Sequence, residues 1–534
     1  MNIFDQSLTN ETHKNGKSDM NSKNTGKKSH KVINFEDLKT LREKFPNKRI
    51  VQCHGVFDVL HAGHVSYFHS AKSFGDLLVV TLTADAFVNK GPGRPYFTAR
   101  VRASVLAALE NVDFVAISEY PTAVPSIEAL RPHFYVKGPD YRDKTKDVTG
   151  GIYSEEAAVE RHGGKLVFTE DETHSSSALI NQFFINWTED QQQIIRKVRD
   201  LGGLDRVESV LAQLQKQKIT VIGEPIVDTY RFCMPENISS KSPSISARFL
   251  YEENYAGGSL AMANHLADFS KEVHLVITHG NELYFQELLK DRMDERVQTH
   301  EIPLENMPTP RKTRYIAVDK SQRIFEITDL RADQWSAHSP ANFARKMLEV
   351  GNAADTVILS DFGHGLFENE VLNAASDLKS HIALNVQTNS SNYGFNVFRK
   401  HKRFHYLSLD TREARIAYHD RSSPPLEMGR RARKDLTQQG ASVAMTLGPN
   451  GSYFFPAGQP GEYFSPAFAD NVVDATGAGD AFFCLTSALL RTDCPHELIP
   501  FLGNIFAGLK TKIIGNKAAV TKSQLAKAVA AILK

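Results

Sequence analysis

From residue 49 onward, short apolar runs rich in β-branched residues alternate with stretches of helical periodicity, which leaves few architectures open. "RIVQCHGVF" (49–57), "DLLVVTLTA" (76–84), "DFVAIS" (113–118) and "HFYVKG" (133–138) read as strands. Between them "HAGHVSYFHSAKSFG" (61–75), "FTARVRASVLAALENV" (97–112) and "SIEALRP" (126–132) read as helices. Nearly continuous apolar strands separated by helices predict a parallel sheet covered on both faces, hence an α/β fold. The pattern restarts at "ITVIGE" (219–224) and runs through "VHLVIT" (273–278), "DTVILSD" (355–361), "HIALNVQ" (381–387) and "ASVAMTLG" (441–448). Inside this second stretch, "SARFLYEENYA" (246–256) and "RKTRYIAVDKSQRIFEIT" (311–328) alternate like exposed strands and predict a small β lid.

A chain of 534 residues exceeds one hydrophobic core. The expected organisation is a polar tail over 1–30, a first α/β domain over 31–185, a helical linker over 186–218 and a second α/β domain over 219–534. The tail is rich in Lys, Ser, Asn and Thr and is expected to be disordered. A net charge of +1 provides no basic field for nucleic acid, so no nucleic-acid partner is expected. The four cysteines, Cys53, Cys233, Cys484 and Cys494, have neither metal-site nor disulfide-framework spacing, as befits reduced thiols in a cytoplasmic protein. No apolar run approaches the roughly 18 residues of a membrane span, and no secretion signal is expected. The linker helices are expected either to pack between the domains or to mediate a homodimer.

Two short stretches carry the chemistry. In "GVFDVLHAGH" (55–64), a strand leads to Gly55, Phe57 and Asp58, then to His61 and His64, three residues apart on one helix face. Gly63 lets a ligand approach the backbone, and the first helical turn offers N–H groups to phosphate oxygens. The residues alone leave an anion site, a structural histidine pair and half a metal site open, although no nearby Cys/His cluster completes a metal set. In "DATGAGDAF" (474–482), Gly477, Ala478 and Gly479 precede Asp480 and an apolar helix. Backbone N–H groups there can converge on an anion, and Asp480 can accept a proton beside a transferred phosphate. A structural turn before a buried helix is the alternative.

The first stretch resembles the His-x-Gly-His signature of the nucleotidyltransferase superfamily, whose domains are Rossmann-like. "KGPGRP" (90–95), "VRASVLAALENVDFV", "RPHFYVKGPDY" and "SSSALI" (175–180) follow in that family's order and are similar to its heptose-1-phosphate adenylyltransferase branch. The resemblance implies transfer of a nucleoside monophosphate from ATP or CTP to a phosphorylated acceptor, with Mg²⁺ accompanying the triphosphate. It assigns the triphosphate to His61 and His64 and charge neutralisation to Lys90. It assigns nucleotide contacts to Gly55, Phe57, Gly63, Arg94, Ser175 and Ser176, and acceptor contacts to Asp58, Gly138 and Asp140. The family's Ser-Thr-Thr is Ser175-Ser176-Ser177 here.

The second stretch resembles the C-terminal signature of the ribokinase-like, PfkB-type carbohydrate kinases. "GEPIVDTY" (223–230), "YAGGSLAMANHLADF" (255–269), "LSDFGHG" (359–365) and "TLGPNGSYFF" (446–455) are similar to further motifs of that family. The resemblance implies a catalytic base at Asp480 and an anion hole at Gly477, Ala478 and Gly479. It implies sugar contacts at Asp228, Gly257, Gly258 and Asn264, and contacts to a sugar-borne phosphate at Lys312 and Arg314. It places the nucleotide near Thr446, Gly448 and Asn504, with Glu413 organising Mg²⁺ indirectly. Departures from the family pattern are Glu224, "NISSKSPSISARF", His364, "NVQTNSSN" and Asp410 in the Asn position of Asn-x-x-Glu.

The whole chain resembles bifunctional heptose-phosphate kinase/nucleotidyltransferases with the halves reversed. The expected partners are a nucleoside triphosphate and a phosphorylated sugar. A cytidylyltransferase for a polyol or other small phosphate, carrying a degenerate kinase-like domain, is the alternative.

Overall fold

The computed structural model describes residues 30–88, 93–144, 151–171, 180–181, 185–238, 244–304, 308–319, 322–330, 341–390, 392–470 and 472–534. The tail 1–29, Lys90 and Ser175–Ser177 lie outside the described residues.

The N-terminal sheet contains β1 (Val32–Ile33), β2 (Ile50–Gly55), β3 (Leu77–Thr83), β4 (Phe114–Ser118), β5 (Phe134–Lys137) and β6 (Lys165–Phe168) in the order β1-β4-β3-β2-β5-β6. Every pairing is parallel. The central strands are buried on both faces, which explains why β3 is a nearly unbroken apolar run and why even Gln52 of β2 is buried. The chain winds one way from β2 through β3 to β4 and the other way through β5 to β6. The strand order therefore reverses between β2 and β5, where a crevice opens at the carboxyl ends of a doubly wound sheet.

The second sheet contains β7 (Lys218–Gly223), β10 (Glu272–His279), β11 (Val297–Pro303), β14 (Thr356–Asp361), β15 (His381–Val386), β16 (Tyr406–Asp410), β17 (Ser442–Thr446), β18 (Ser452–Phe455) and β19 (Tyr463–Ser465). Their order is β11-β10-β7-β14-β15-β16-β17-β18-β19, and only the last two pairings are antiparallel. The helices Ala478–Leu489 and Leu498–Lys510 fill one side of this sheet. Every residue of the first from Ala481 onward is buried, as an all-round apolar sequence requires. Phe482 and Phe483 alone contribute roughly 1.5–3 kcal/mol each by burial.

The linker segment forms the helices Glu189–Asp200 and Gly203–Leu214, the first started by a reciprocal Thr188–Gln191 cap. Their apolar faces, including Ile194, Val198, Val207 and Leu211, join the core beside Phe482 and Phe501.

The lid is a separate sheet of β8 (Pro225–Ile238), β9 (Ile245–Gly258), β12 (Arg311–Ala317) and β13 (Gln322–Asp329), ordered β13-β12-β8-β9. Its inner end is packed, whereas its outer end leaves Ile238 and Ile245 exposed. Among the described residues no helix is long and apolar enough to cross a membrane, and all four cysteines are buried and free.

Candidate active sites

The first site stands at the β2/β5 switch point. Helix Ala62–Lys72 begins immediately after His61, and the rings of His61 and His64 lie 4.0 Å apart. Phe57 supports them from a left-handed backbone (φ +48°), which costs a bulky residue about 1–2 kcal/mol. Its ring folds back over Gly55, where an added Cβ would meet it at 3.0 Å, and meets His64 edge-on with centroids 5.6 Å apart. Gly63 lies in the helix's first turn, and Gly138 follows β5 on the other side of the crevice with open space beside it. Asp140 is exposed on the short turn Pro139–Tyr141.

Two expected ligand contacts take other partners. Asp58 is buried and accepts the Tyr96 and Phe97 N–H groups at 2.7 and 2.9 Å. It ties two loops together. Arg94 is buried and donates to Asn181 at 2.7 Å, and Asn181 donates to the Ala531 carbonyl in the chain's last helix. The adjoining Gly93 N–H donates to Asp470 of the C-terminal half.

Arg102 escaped the motif reading, yet it is almost completely buried. It donates to the carbonyls of Val56 at 2.5 Å, Thr83 at 2.9 Å and Phe97 at 2.9 Å, and pairs with Asp85 at 2.6 Å. One guanidinium thus fixes the floor of the crevice. Nothing in the sequence distinguishes it from a surface helix arginine.

The second site is centred on the start of helix Ala478–Leu489. Gly477 precedes the helix at φ +76°, a backbone that glycine adopts without strain. Asp480 lies in the first turn, where it accepts the Asn385 side-chain amide at 3.1 Å and that of Gln387. Burial pushes its carboxyl up to about 6. The Asn385 bond, Lys312 and Lys510 oppose the rise, and Asp228 adds to it. Asn385 and Gln387 belong to "NVQTNSSN", one of the departures noted above, so that stretch supports the carboxylate directly.

Lys510 was not anticipated either. Its buried ammonium donates to the Thr476 carbonyl at 2.8 Å and the Gly515 carbonyl at 2.6 Å, bracing the anion loop from behind. Desolvation lowers its pKa, and Asp474, Asp480 and Asp228 oppose that. Asp474 accepts the Tyr230 hydroxyl at 2.7 Å, the Gly515 N–H at 2.8 Å and the Arg323 guanidinium at 2.9 Å. Burial raises its pKa, but hydrogen bonds from Tyr230, Thr476 and Gly515 hold it at about 2. Since Tyr230 and Arg323 come from the lid, Asp474 latches the lid to the anion loop.

In the lid, β8 and β9 place Asp228 beside Gly257, where an added Cβ would lie 2.5 Å from the carboxylate. Gly258 turns the chain at φ +60° into the next helix. Lys312 sits opposite Asp228 in the lid register. Arg314 pairs with Asp228 and, at 3.0 Å, with Glu326, so its charge is already matched without a sugar phosphate. Asn264 uses its amide on the Arg292 carbonyl at 2.8 Å and the Asp294 N–H at 2.9 Å, and Asn504 uses its own on Ser465 at 2.8 Å and Ser452 at 3.1 Å. Both asparagines brace the fold.

Thr446 lies opposite Asp410 in the β16–β17 register, and Gly448 stands at the following turn. Asp410 and Glu413 exchange backbone N–H bonds at 2.6 and 2.8 Å as a reciprocal helix cap. Burial, Asp410 and Asp480 push the Glu413 carboxyl up to about 8, against the Asp410 and Thr388 N–H bonds that lower it. Among the described residues no cluster of three or more His, Cys, Asp or Glu side chains could hold a metal.

Buried Glu224 replaces the usual Gly-Asp and accepts three backbone N–H groups from the 362–366 loop, at 2.8 Å from Phe362 and 3.0 Å from both His364 and Leu366. Burial and Asp361 push its carboxyl up, while the Leu366 and Phe362 N–H bonds and Lys400 restrain it. This departure therefore organises the loop that carries His364.

Comparison with known families matches pfkB family carbohydrate kinase to residues 216–512 and cytidylyltransferase-like to residues 53–182. The curated Bifunctional protein HldE of Aliarcobacter butzleri is 43% identical over 129 residues, covering 23% of this chain and 27% of that protein. Its namesake from Pelobacter propionicus is 44% identical over 140 residues, covering 26% and 27%. The chain thus spans about a quarter of the length of these curated relatives. Solved Phosphofructokinase-2 from Escherichia coli in complex with substrates and products aligns over 60% of this chain and 100% of its own, at 13% identity and a TM-score of 0.48.

Proposed function

The chain belongs to the pfkB family of carbohydrate kinases, and on that premise we propose that it is a bifunctional enzyme of nucleotide-sugar synthesis. The kinase half phosphorylates a sugar or sugar phosphate with ATP. The cytidylyltransferase-like half transfers a nucleoside monophosphate from ATP or CTP to a heptose-like sugar 1-phosphate and releases pyrophosphate. The observation that carries the reading is Asp480, a carboxylate raised to about 6 at the start of a helix whose preceding loop is braced by a buried lysine.

At pH 7 Asp480 is mostly ionised and more basic than an ordinary aspartate, which suits removal of a proton from an attacking hydroxyl. Backbone N–H groups around Gly477–Gly479 face the transferred phosphoryl group, and Lys510 holds them against recoil. Asp228, Gly257 and Lys312 line the sugar side. In the other half, His61 and His64 meet the triphosphate at the helix start, and Lys90 neutralises the departing pyrophosphate. Ser175 and Ser176 supply further donors. The acceptor's own phosphate attacks the α-phosphorus in line, so no protein nucleophile is needed.

Among the described residues no side-chain cluster could hold a metal ion, and the Mg²⁺ of the reaction would enter with the triphosphate as part of the substrate. Such soluble substrates suit a cytoplasmic enzyme, and a homodimer would form on surfaces other than the apolar faces of helices Glu189–Asp200 and Gly203–Leu214, which are buried in the core.

The test pairs purified protein with ATP, CTP or GTP and a panel of sugars and sugar phosphates, following phosphoryl transfer and pyrophosphate release separately. His64→Ala should abolish only pyrophosphate release, and Asp480→Asn only phosphoryl transfer. If neither substitution changes any activity, the assignment fails.

A further inference from the structure

We propose that Asp470 of the kinase half is a positioning residue for the transferase site, so that the crevice is completed across the junction between the halves. This rests on the transferase reading above. The turn 93–97 is the element concerned. At one end the Tyr96 and Phe97 N–H groups bind Asp58, three residues before His61, and the Phe97 carbonyl accepts from Arg102. The same guanidinium holds the Val56 carbonyl, so a shift of this turn moves the loop that delivers the histidines.

The other end of the turn is anchored on the C-terminal half. The Gly93 N–H donates to Asp470 Oδ2, while Asp470 Oδ1 pairs with Lys512 at 2.9 Å. Arg94, buried beside them, reaches the last helix through Asn181 and interacts with both Asp58 and Asp470. The conformation of Gly93 suits this approach: its φ is +68°, and a Cβ there would meet Ile185 at 3.3 Å. The anchor is also continuous with the kinase anion loop. Lys512 lies two residues beyond Lys510, and Thr511 between them accepts the N–H groups of Val473 and Asp474. An isolated surface salt bridge would matter little, but this carboxylate holds a backbone donor in a loop already bound to the site.

The experiment uses the full-length protein and three variants, Asp470→Ala, Asp470→Asn and Lys512→Met. Pyrophosphate release gives kcat and the KM for the triphosphate, and hydrogen exchange reports the backbone of 93–103. Asp470→Ala should raise KM about fivefold or more, as loss of a charge-assisted hydrogen bond implies, with a smaller change in kcat and faster exchange at 93–97. Asp470→Asn, which keeps an oxygen for Gly93, should restore most of the KM. Lys512→Met should speed exchange at 93–97 and raise KM modestly, and it serves as the deciding variant if Asp470→Ala does not fold.

Unchanged KM and exchange in a folded Asp470→Ala or in Lys512→Met overturn the proposal. So does equal impairment of Asp470→Asn and Asp470→Ala. A wild-type protein that releases no pyrophosphate with any triphosphate refutes the transferase reading itself, whereas an active wild type with unaltered variants refutes only the positioning role.

Discussion

Replacing Asp480 by asparagine keeps the shape of the side chain while removing its charge and basicity, and the structure gives opposite signs for the effects on rate and stability. The step from the ordinary aspartate value of 3.8 to about 6 corresponds to about 3 kcal/mol favouring the neutral form in the folded protein. Stability associated with the bound proton is fully present below pH 3.8 and is lost as pH rises through 6. Ionised Asp480 therefore costs the folded state about 1–3 kcal/mol at pH 7–8, the lower figure allowing for partial solvent screening. Asparagine removes that cost and still accepts the Asn385 amide.

Phosphoryl transfer should fall about 10²–10⁴-fold through loss of the general base. Meanwhile the midpoint of denaturant unfolding at pH 8 should rise, and this gain should vanish by pH 4. Wild-type kcat/KM for the kinase should fall as pH drops through 6. The assays are coupled ATP turnover and urea unfolding followed at pH 4, 6 and 8. A variant that keeps phosphoryl transfer within tenfold of wild type, or is less stable than wild type at pH 8, would refute the reasoning.

Lys510→Met should leave the Thr476 and Gly515 carbonyls without their donor, costing about 1–3 kcal/mol in unfolding and raising the kinase KM for ATP. Arg102→Met strips donors from three loop carbonyls, so pyrophosphate release should drop at least tenfold while phosphoryl transfer persists, as separate assays of one preparation would show. Gly257→Ala pushes a methyl group against Asp228 and should raise the KM for the sugar acceptor without altering that for ATP, measured by initial rates.

Some of this was readable from local pattern. Strands β2, β3, β14 and β17 were predicted because strands buried on both faces are rich in apolar and β-branched residues. The helix starts at His61 and Gly477 were equally visible, since glycine and a change of period mark where a strand hands over to a helix. The exposed alternation of 246–256 and 311–328 indicated the lid, although not that β8 pairs with both β9 and β12.

The partners of polar groups were a different matter. Arg94, Asn264 and Asn504 carry the right chemistry in the right motifs, yet each amide or guanidinium bonds within the protein. Glu224, one of the departures from the family pattern, accepts three N–H groups. Lys510 and Asp470 had no motif at all.

The sequence by itself determined the two α/β halves, the lid and the placement of the helix starts after His61 and Gly477, because backbone periodicity and glycine conformations are local properties. Only the tertiary structure decided which charges meet: Lys510 under Thr476, Arg314 on Asp228, and Asp470 under Gly93. Those pairings join residues remote in the chain, and a buried polar group finds its partner through the packing of whole elements, which no neighbouring residue encodes.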